Sequence, residues 1–302
     1  MRPELAKASD LLRRNTPEAI AEAIGLLQNT VFSFSMKMCG HREDAEDTSQ
    51  EVLFRSLKHL PKLQDPSALA AWLYTVTRNR CRRMRSTIDT SSTRRLSLDE
   101  LMPNEVELKQ LLLDAAKSPE GNVLHAEERQ LLHQAVLRIP SSLRLVLVLH
   151  DMEELDTELV AQILGLQVGT VRVRLHRARL ALRREMAFML KRAQTSTFAS
   201  PKGKPSPSRA RTATRRPKEC RDLFASLSEY LDGRVKPESC DKISAHIQSC
   251  PACVAFLRDL RAAIDRCRSL ETPCDPAVAS RLQTMLAQEY LRMLGSAAPT
   301  KG

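Results

Sequence analysis

The stretch ELVAQILGLQVGTVRVRLHRARLALRREM, residues 158–186, constrains the fold of this chain more than any other. A short apolar helix ends at Gly165, Leu166 to Val168 form a turn, and a second helix starts near Gly169 and Thr170. That is the spacing of a helix-turn-helix. At about 100° per residue, Val171, Leu175, Ala178 and Leu182 share one narrow face, which must pack on the preceding helices. The opposite face near the N-terminus carries Arg172, Val173, His176 and Arg177, side chains able to reach base edges in a major groove. Arg174 and Arg179 flank it and suit phosphates. A basic amphipathic helix alone is commonly a solvated face. The turn spacing, the short helix before it and the density of arginine point instead to DNA.

Composition agrees with a helical protein that meets a polyanion. Apolar residues make up 42% of 302, aromatics only 4%, with one Trp and nine Gly. Cores must then be built from Leu, Ala, Val and Ile, which favours helices over turn-rich sheets. The net charge of +11 implies an anionic partner. No apolar run is long enough for a bilayer, and MRPELAKASDLLRRN has no signal-peptide core, so a cytoplasmic chain is expected. In that compartment the eight cysteines are mostly reduced, and clustered ones indicate metal or redox chemistry.

The chain divides by character. Residues 10–87 read as helices, one opened by Thr16 and Pro17, a polar cap followed by Pro at the first position. In EDAEDTSQEVLFRSLKHL, Val52, Leu53, Ser56, Leu57 and Leu60 fall at helical spacing and Pro61 stops the run. A loop follows, then AAWLYTVTRNRCRRMRS with a basic end. Residues 88–122 carry no sustained periodicity, and eight acidic residues against two lysines lie between Ser97 and Glu128. This predicts a flexible acidic connector. Residues 123–192 return to helical pattern. Residues 193–218 are rich in Pro, Ser, Thr, Lys and Arg and read as a basic disordered linker. Residues 219–258 form a small Cys-containing helical module, and 259–302 a helical tail.

LRIPSSLRLVLVLHDMEELDTELVAQILGLQVGTVRVRLHRARLALR resembles region 4 of the extracytoplasmic-function (ECF) sigma factors, whose pattern includes an Arg-rich GTV-x-x-R-x-x-R-A-R helix. In that family this domain reads the −35 promoter element. The chain departs from the pattern at Glu154, where the family often has Gly, and at Val173, where it has a small polar residue. EDAEDTSQEVLFRSL and AAWLYTVTRNRCRR look like region 2 of the same family. The resemblance implies that Asp44, Asp47, Gln50 and Glu51 dock on the clamp of the largest polymerase subunit. It also implies that the loop Leu63–Ser67 with Trp72, Tyr74, Arg78 and Asn79 opens the −10 element. Stacking and hydrogen bonding to an extruded base offset an unstacking cost of a few kcal/mol. Arg80, Arg82, Arg83 and Arg85 can follow the phosphates. In the family the connector threads polymerase channels that otherwise hold nucleic acid, so its acidity would mimic a nucleic-acid backbone.

In residues 220–253, His246 and Cys250 lie four apart on one helix face, and Cys253 follows a Pro-containing turn. An imidazole and two thiolates then converge with zinc spacing. A closed tetrahedral site needs a fourth ligand, either Cys220 or Cys240. C-x9-YLDG…H-x3-C-P-x-C resembles the zinc-binding anti-sigma domain, whose first ligand precedes the YLDG helix. That resemblance favours Cys220 and implies one Zn2+. Cys39 and Cys81 read as buried or incidental. Cys267 and Cys274, seven apart, read as tail residues rather than sensors.

The fold expected is all-α: two small helical sigma domains joined by a flexible acidic linker, plus a small helical zinc-binding module. The function expected is that of a sigma factor giving core RNA polymerase its promoter specificity, modulated by a module that contacts its own sigma domains. The competing possibility is a helix-turn-helix regulator with a metal- or redox-sensing tail; another makes the module an activator. No catalytic residues are expected, since no open-site carboxylate accompanies the His-Cys-Cys cluster and no Gly-rich phosphate loop exists.

Overall fold

Thr16 starts the helix around which the N-terminal chain is organised. It takes an extended backbone, and its Oγ1 accepts a hydrogen bond from the Ala19 amide at 3.3 Å. Pro17 fills the first helical position, where no amide donor is needed. The helix, α2 (Pro17–Cys39), ends where Gly40 turns left-handed at φ 81°, its amide closing on the Met36 carbonyl at 2.9 Å. The molecule is described by a computed structural model over residues 2–14, 16–63, 65–86, 101, 102, 107, 126–196, 227–235 and 237–296. All regular structure among the described residues is helical, and no described helix is long and apolar enough to cross a membrane.

The chain forms two compact units. The first comprises Met1–Thr93, Val148–Val171 and Glu271–Gly302, the second Arg94–Leu147 and Arg172–Leu270. In the first, α2 packs against α1 (Pro3–Arg14), α3 (Arg42–Ser56) and α4 (Pro66–Ser86). Leu5, Ala8, Leu12, Ile20, Ile24, Leu27, Val31, Phe34, Val52, Leu53, Leu69 and Leu73 fill its core. Leu60 belongs not to α3 but to a separate 3-10 turn, Leu60–Lys62, and Asp65 accepts from the Ala68 amide at 2.7 Å to open α4.

The remainder of the first unit comes from distant parts of the chain. Residues 148–171 contribute a π-helical turn, Val148–Met152, and the helix next labelled α7, Thr157–Leu164, which packs on α4. Asp156 caps that helix through the Leu159 amide at 2.7 Å, and Gly165 ends it at φ 64°. The last helix, α11 (Pro276–Ser296), lies on α2 and α3. It buries Leu282, Leu286 and Tyr290, and Gln283 donates to the Ala21 carbonyl at 2.7 Å. Gly25 admits this approach, because a Cβ there would sit 2.9 Å from Gln283 Nε2.

The second unit contains α5 (Ala126–Arg138), α6 (Ser141–Leu147), the part of α8 (Val168–Ser196) from Arg172 onward, helical residues 227–231, α9 (Pro237–Ser249) and α10 (Pro251–Arg268). Arg138 ties α5 to α8, pairing with Glu185 at 2.9 Å and covering the Phe188 ring at 5.4 Å. Arg144 is buried and donates to the Leu137 carbonyl at 2.8 Å. The acidic connector at 88–122, apart from Leu101, Met102 and Glu107, and the basic linker from residue 197 lie outside the described residues.

Between the π-helical turn and α7 the chain reverses at Glu154, the one described non-glycine residue with positive φ, at 56°. A left-handed backbone costs a side-chain-bearing residue about 1–2 kcal/mol, and glycine costs about 0.5–1 kcal/mol in unfolded-state entropy. Glu154→Gly is therefore expected to stabilise the first unit by roughly 0.5–1 kcal/mol. A urea midpoint that rises at constant slope would show it; an unchanged or lower midpoint would mean this turn holds no strain.

Candidate nucleic-acid interface and metal centre

The face of α8 that points away from the buried stripe is divided between solvent and protein. Val171, Leu175, Ala178 and Leu182 are buried. Arg172, Val173 and Arg177 are exposed, and Arg174 is half-buried. His176 and Arg179 are buried, and Arg179 has no exposed surface at all.

What covers them is the segment that opens the C-terminal module. Arg179 forms a two-pronged pair with Asp232, Nη1 to Oδ2 at 3.0 Å and Nη2 to Oδ1 at 2.7 Å, and Nη1 also reaches the Ser228 carbonyl at 3.3 Å. Such fork-to-fork geometry is among the stronger charge-assisted pairings. His176 Nδ1 meets Ser228 Oγ at 3.0 Å. One turn beyond Arg179, Arg183 pairs with Asp259 at 2.6 Å and stacks over Phe256 at 4.8 Å. Asp232 is the Asp of the YLDG motif. Arg183, Asp232 and Asp259 are contacts that the sequence pattern did not single out. Asp232 and Asp259 lie 27 residues apart in the sequence, and no local spacing pairs them with the arginines of α8.

His176 is held at a pKa of about 4, first by burial and then by Arg179 and Arg177. Its Nε2 has no hydrogen-bond partner among the described residues. The neutral ring is therefore the form that fits. A folded pKa below the unfolded value of about 6.5 stabilises the folded form above pH 6.5, and that stabilisation is lost as pH falls toward 4.

In the first unit, the side chains with implied nucleic-acid roles are spread along α4. Trp72 is half-buried with its ring 5.3 Å from that of His59. Tyr74 is buried, its ring 5.2 Å from Phe34 and its hydroxyl donating to Glu153 at 2.9 Å. Burial and the Glu153 carboxylate push its pKa well above the ordinary range, so the phenol stays a donor. Arg78 donates to the Ile163 carbonyl at 2.6 Å and to Asn79 Oδ1. Asn79 and Arg82 are exposed, Leu63 is half-buried, and Asp65 and Ser67 are exposed. Gln64 and the side chains of Arg83 and Arg85 lie outside the described residues.

On α3, Asp47 and Gln50 are exposed, and Asp44 and Glu51 half-buried. Glu51 pairs with Arg55 at 2.7 Å and with Arg80. Phe54, 54% exposed, shares the outer face with Asp47 and Gln50. An aromatic residue off the buried stripe was its only mark in the sequence.

His246, Cys250 and Cys253 come together, with ligand atoms all within 4.8 Å of one another. His246 Nε2 and Cys253 Sγ are 3.3 Å apart. Cys250 lies just past the end of α9 rather than on one helix face with His246. It occupies the N-terminal boundary of α10 without a side-chain capping bond, and Cys253 lies in the first turn of α10, where helix-terminal amides favour thiolates. Ligand bonds of about 2.0–2.3 Å give tetrahedral edges close to these separations, so the donor set fits zinc. Cys240 sits six residues before His246 on α9, roughly 240° round the helix, and is not part of the cluster. Cys220 lies outside the described residues.

Comparison with known proteins matches three stretches of the chain. Residues 24–88 match the family Sigma-70 region 2, residues 129–182 match Sigma-70 region 4, and residues 220–253 match a zinc-finger family. The chain is 27% identical over 182 residues to the ECF RNA polymerase sigma factor SigW of Bacillus subtilis, covering 58% of this chain and 92% of that one. It is 28% identical over 171 residues to the RNA polymerase sigma-H factor of Pseudomonas aeruginosa, covering 55% and 85%. With the ECF RNA polymerase sigma-E factor of Escherichia coli K12 it shares 27% over 151 residues, 49% and 77% of the two chains.

The buried histidine yields a pH test. Lowering pH from 7 to 5 is expected to cost the second unit about 2 kcal/mol through His176 alone. His176→Gln, which cannot titrate in this range, removes that slope. Urea unfolding of both proteins across the range measures it, and identical pH slopes would show that His176 does not carry the linkage.

Proposed function

The chain belongs to the ECF group of RNA polymerase sigma factors, and from that premise we propose that its C-terminal module restrains it by occupying the helix that reads promoter DNA. As a sigma factor it directs promoter-specific initiation by core polymerase and catalyses no reaction itself. The observation that carries the proposal is the Arg179–Asp232 fork with its neighbour His176–Ser228. A phosphate or base edge cannot reach a guanidinium with no exposed surface. Promoter DNA and residues 228–232 therefore compete for one face of α8.

The other assignments follow from the same premise. Region 2, residues 10–87, docks on the polymerase clamp through Asp44, Asp47, Gln50 and Glu51, with Phe54 as the apolar centre of that face. Trp72, Tyr74, Arg78, Asn79 and Arg82 serve the −10 element. Region 4, residues 123–192, uses Arg172, Val173, Arg174, His176, Arg177 and Arg179 at the −35 element once the module leaves. The acidic connector, 88–122, occupies a polymerase channel. Core polymerase and promoter DNA are the partners, and the cytoplasm is where they are met.

The module, residues 219–258, holds one zinc ion through Cys220, His246, Cys250 and Cys253. A closed site of this kind is structural: it joins α9 to the start of α10 and lends a small module folding energy its own core lacks. Elemental analysis is expected to find one zinc per chain and none in the Cys250→Ser, Cys253→Ser variant. Chelation is expected to raise amide exchange in residues 237–268 and leave residues 17–39 protected. Undiminished zinc in the double variant would remove these ligands from the proposal.

In-vitro transcription with core polymerase tests the restraint. Asp232→Ala in the full chain and truncation to residues 1–195 are both expected to raise output from the target promoter. A truncated chain less active than the full one at equal concentration and equal stability would make the module an activator. Failure of every form to bind core would overturn the assignment as a sigma factor.

A further inference from the structure

Trp72 is assigned above to the −10 element, and the imidazole beside it has no role in that assignment. The two aromatic rings of α4 are placed differently. Tyr74 is buried against Phe34, their centroids 5.2 Å apart, whereas Trp72 is half-buried and keeps surface that a ligand can reach. The ring of His59 lies against the indole, centroids 5.3 Å apart and planes at 44°. That separation is within the range in which aromatic pairs attract.

Both rings are anchored by their chain neighbours. His59 stands where α3 gives way to the 3-10 turn. Its amide donates to the Ser56 carbonyl at 2.7 Å, and its carbonyl accepts from the Lys62 amide at 3.0 Å. Leu57 and Leu60 on that side are buried, as are Leu69 and Leu73 of α4 on the other. His59 and Trp72 therefore bracket the loop Leu63–Ser67 and touch across its base, which narrows the conformations open to it. Asn79, two turns along α4 from Trp72, is exposed on the same face. An unpaired strand can thus stack one base on the indole and pass on toward an amide.

We propose that His59 is a positioning residue for promoter opening: its imidazole holds the Trp72 indole in one orientation, as a platform on which an unpaired base of the −10 element stacks. This rests on the assignment of Trp72 to that element. Stacking tolerates any base, because every base has a π face. Its strength depends on the ring being in place beforehand: a side chain that must be ordered on binding lowers affinity by roughly two- to ten-fold. A half-buried indole without the imidazole beside it would exchange between rotamers. With His59 in contact, the ordering is complete before a base arrives.

The test uses the full chain. Trp72 is the one Trp of the sequence, so the emission of the free protein reports it alone. His59→Ala is expected to raise acrylamide quenching of that emission and lower its anisotropy, and His59→Phe to restore both. With core polymerase, permanganate reactivity of thymines at the target promoter then follows opening. His59→Ala is expected to slow opening roughly three- to ten-fold with core binding unchanged, and His59→Phe to restore the rate. Trp72→Ala is expected to slow it by about ten-fold or more. The double variant is expected to be no slower than Trp72→Ala, since His59 acts only through the indole. Unchanged quenching in His59→Ala overturns the proposal. So does slow opening that His59→Phe fails to restore, or a double variant slower than Trp72→Ala. Full-rate opening by Trp72→Ala overturns the −10 assignment on which the platform rests. Full-rate opening by His59→Ala beside a slow Trp72→Ala overturns the role of His59 alone.

Discussion

A guanidinium without exposed surface requires an anion beside it, and Arg179 meets that requirement through Asp232. An Arg-rich helix in a chain of net charge +11 is unfavourable to bury and is readily hydrated. The second unit overcomes this by supplying a carboxylate to each of two arginines one helical turn apart: Asp232 to Arg179 and Asp259 to Arg183. The apolar residues of the module, Leu227, Phe256 and Leu260 among them, are buried in the same unit. Without the charge match that burial would leave stranded arginines, and α8 would keep Arg179 and Arg183 in water.

The first unit solves a related problem with opposite polarity. There a carboxylate, Glu153, is the group carried inside, and Lys37, Tyr74 and Arg2 neutralise it. Of the groups that resemblance assigns to nucleic acid, His176 and Arg179 in the second unit and Tyr74 and Arg78 in the first are hydrogen-bonded internally, whereas Arg172, Arg177 and Arg82 are exposed. An unpaired buried charge costs several kcal/mol, so each pairing must be exchanged for another rather than simply broken.

Local physics was legible in the sequence and long-range pairing was not. Thr16 with Pro17, and the turn at Gly165, are set by caps and by glycine's access to positive φ, all within a few residues. The His246, Cys250 and Cys253 cluster is likewise a matter of one helix end and one turn. The outward direction of His176 and Arg179 on an isolated helix was also legible, but their burial depends on Ser228 and Asp232, dozens of residues away across a Pro- and Arg-rich stretch. Glu153 reads as a surface acid because nothing adjacent to it reveals Lys37. The stripe of Leu282, Leu286 and Tyr290 on α11 indicates a helix with a buried face, and only the structure shows that α2 receives it.

Salt separates the two sides of this competition. Contacts between arginine and DNA phosphates release condensed counterions and weaken steeply as salt rises. Arg179 and Asp232 face each other with little solvent between them, 0% and 14% exposed, so mobile ions screen them far less. On the proposed function, rising ionic strength would penalise a DNA-bound form of α8 while leaving the internally paired form nearly untouched. On the same proposal, the charge on Arg179 that would meet a promoter phosphate at low salt is the charge that pairs with Asp232 when the pull of the phosphates is screened. A helix of alternating Leu and Ala on that face would have no such dependence. In the proposed restraint it is Arg179, rather than the apolar stripe beneath it, that carries this dependence on salt.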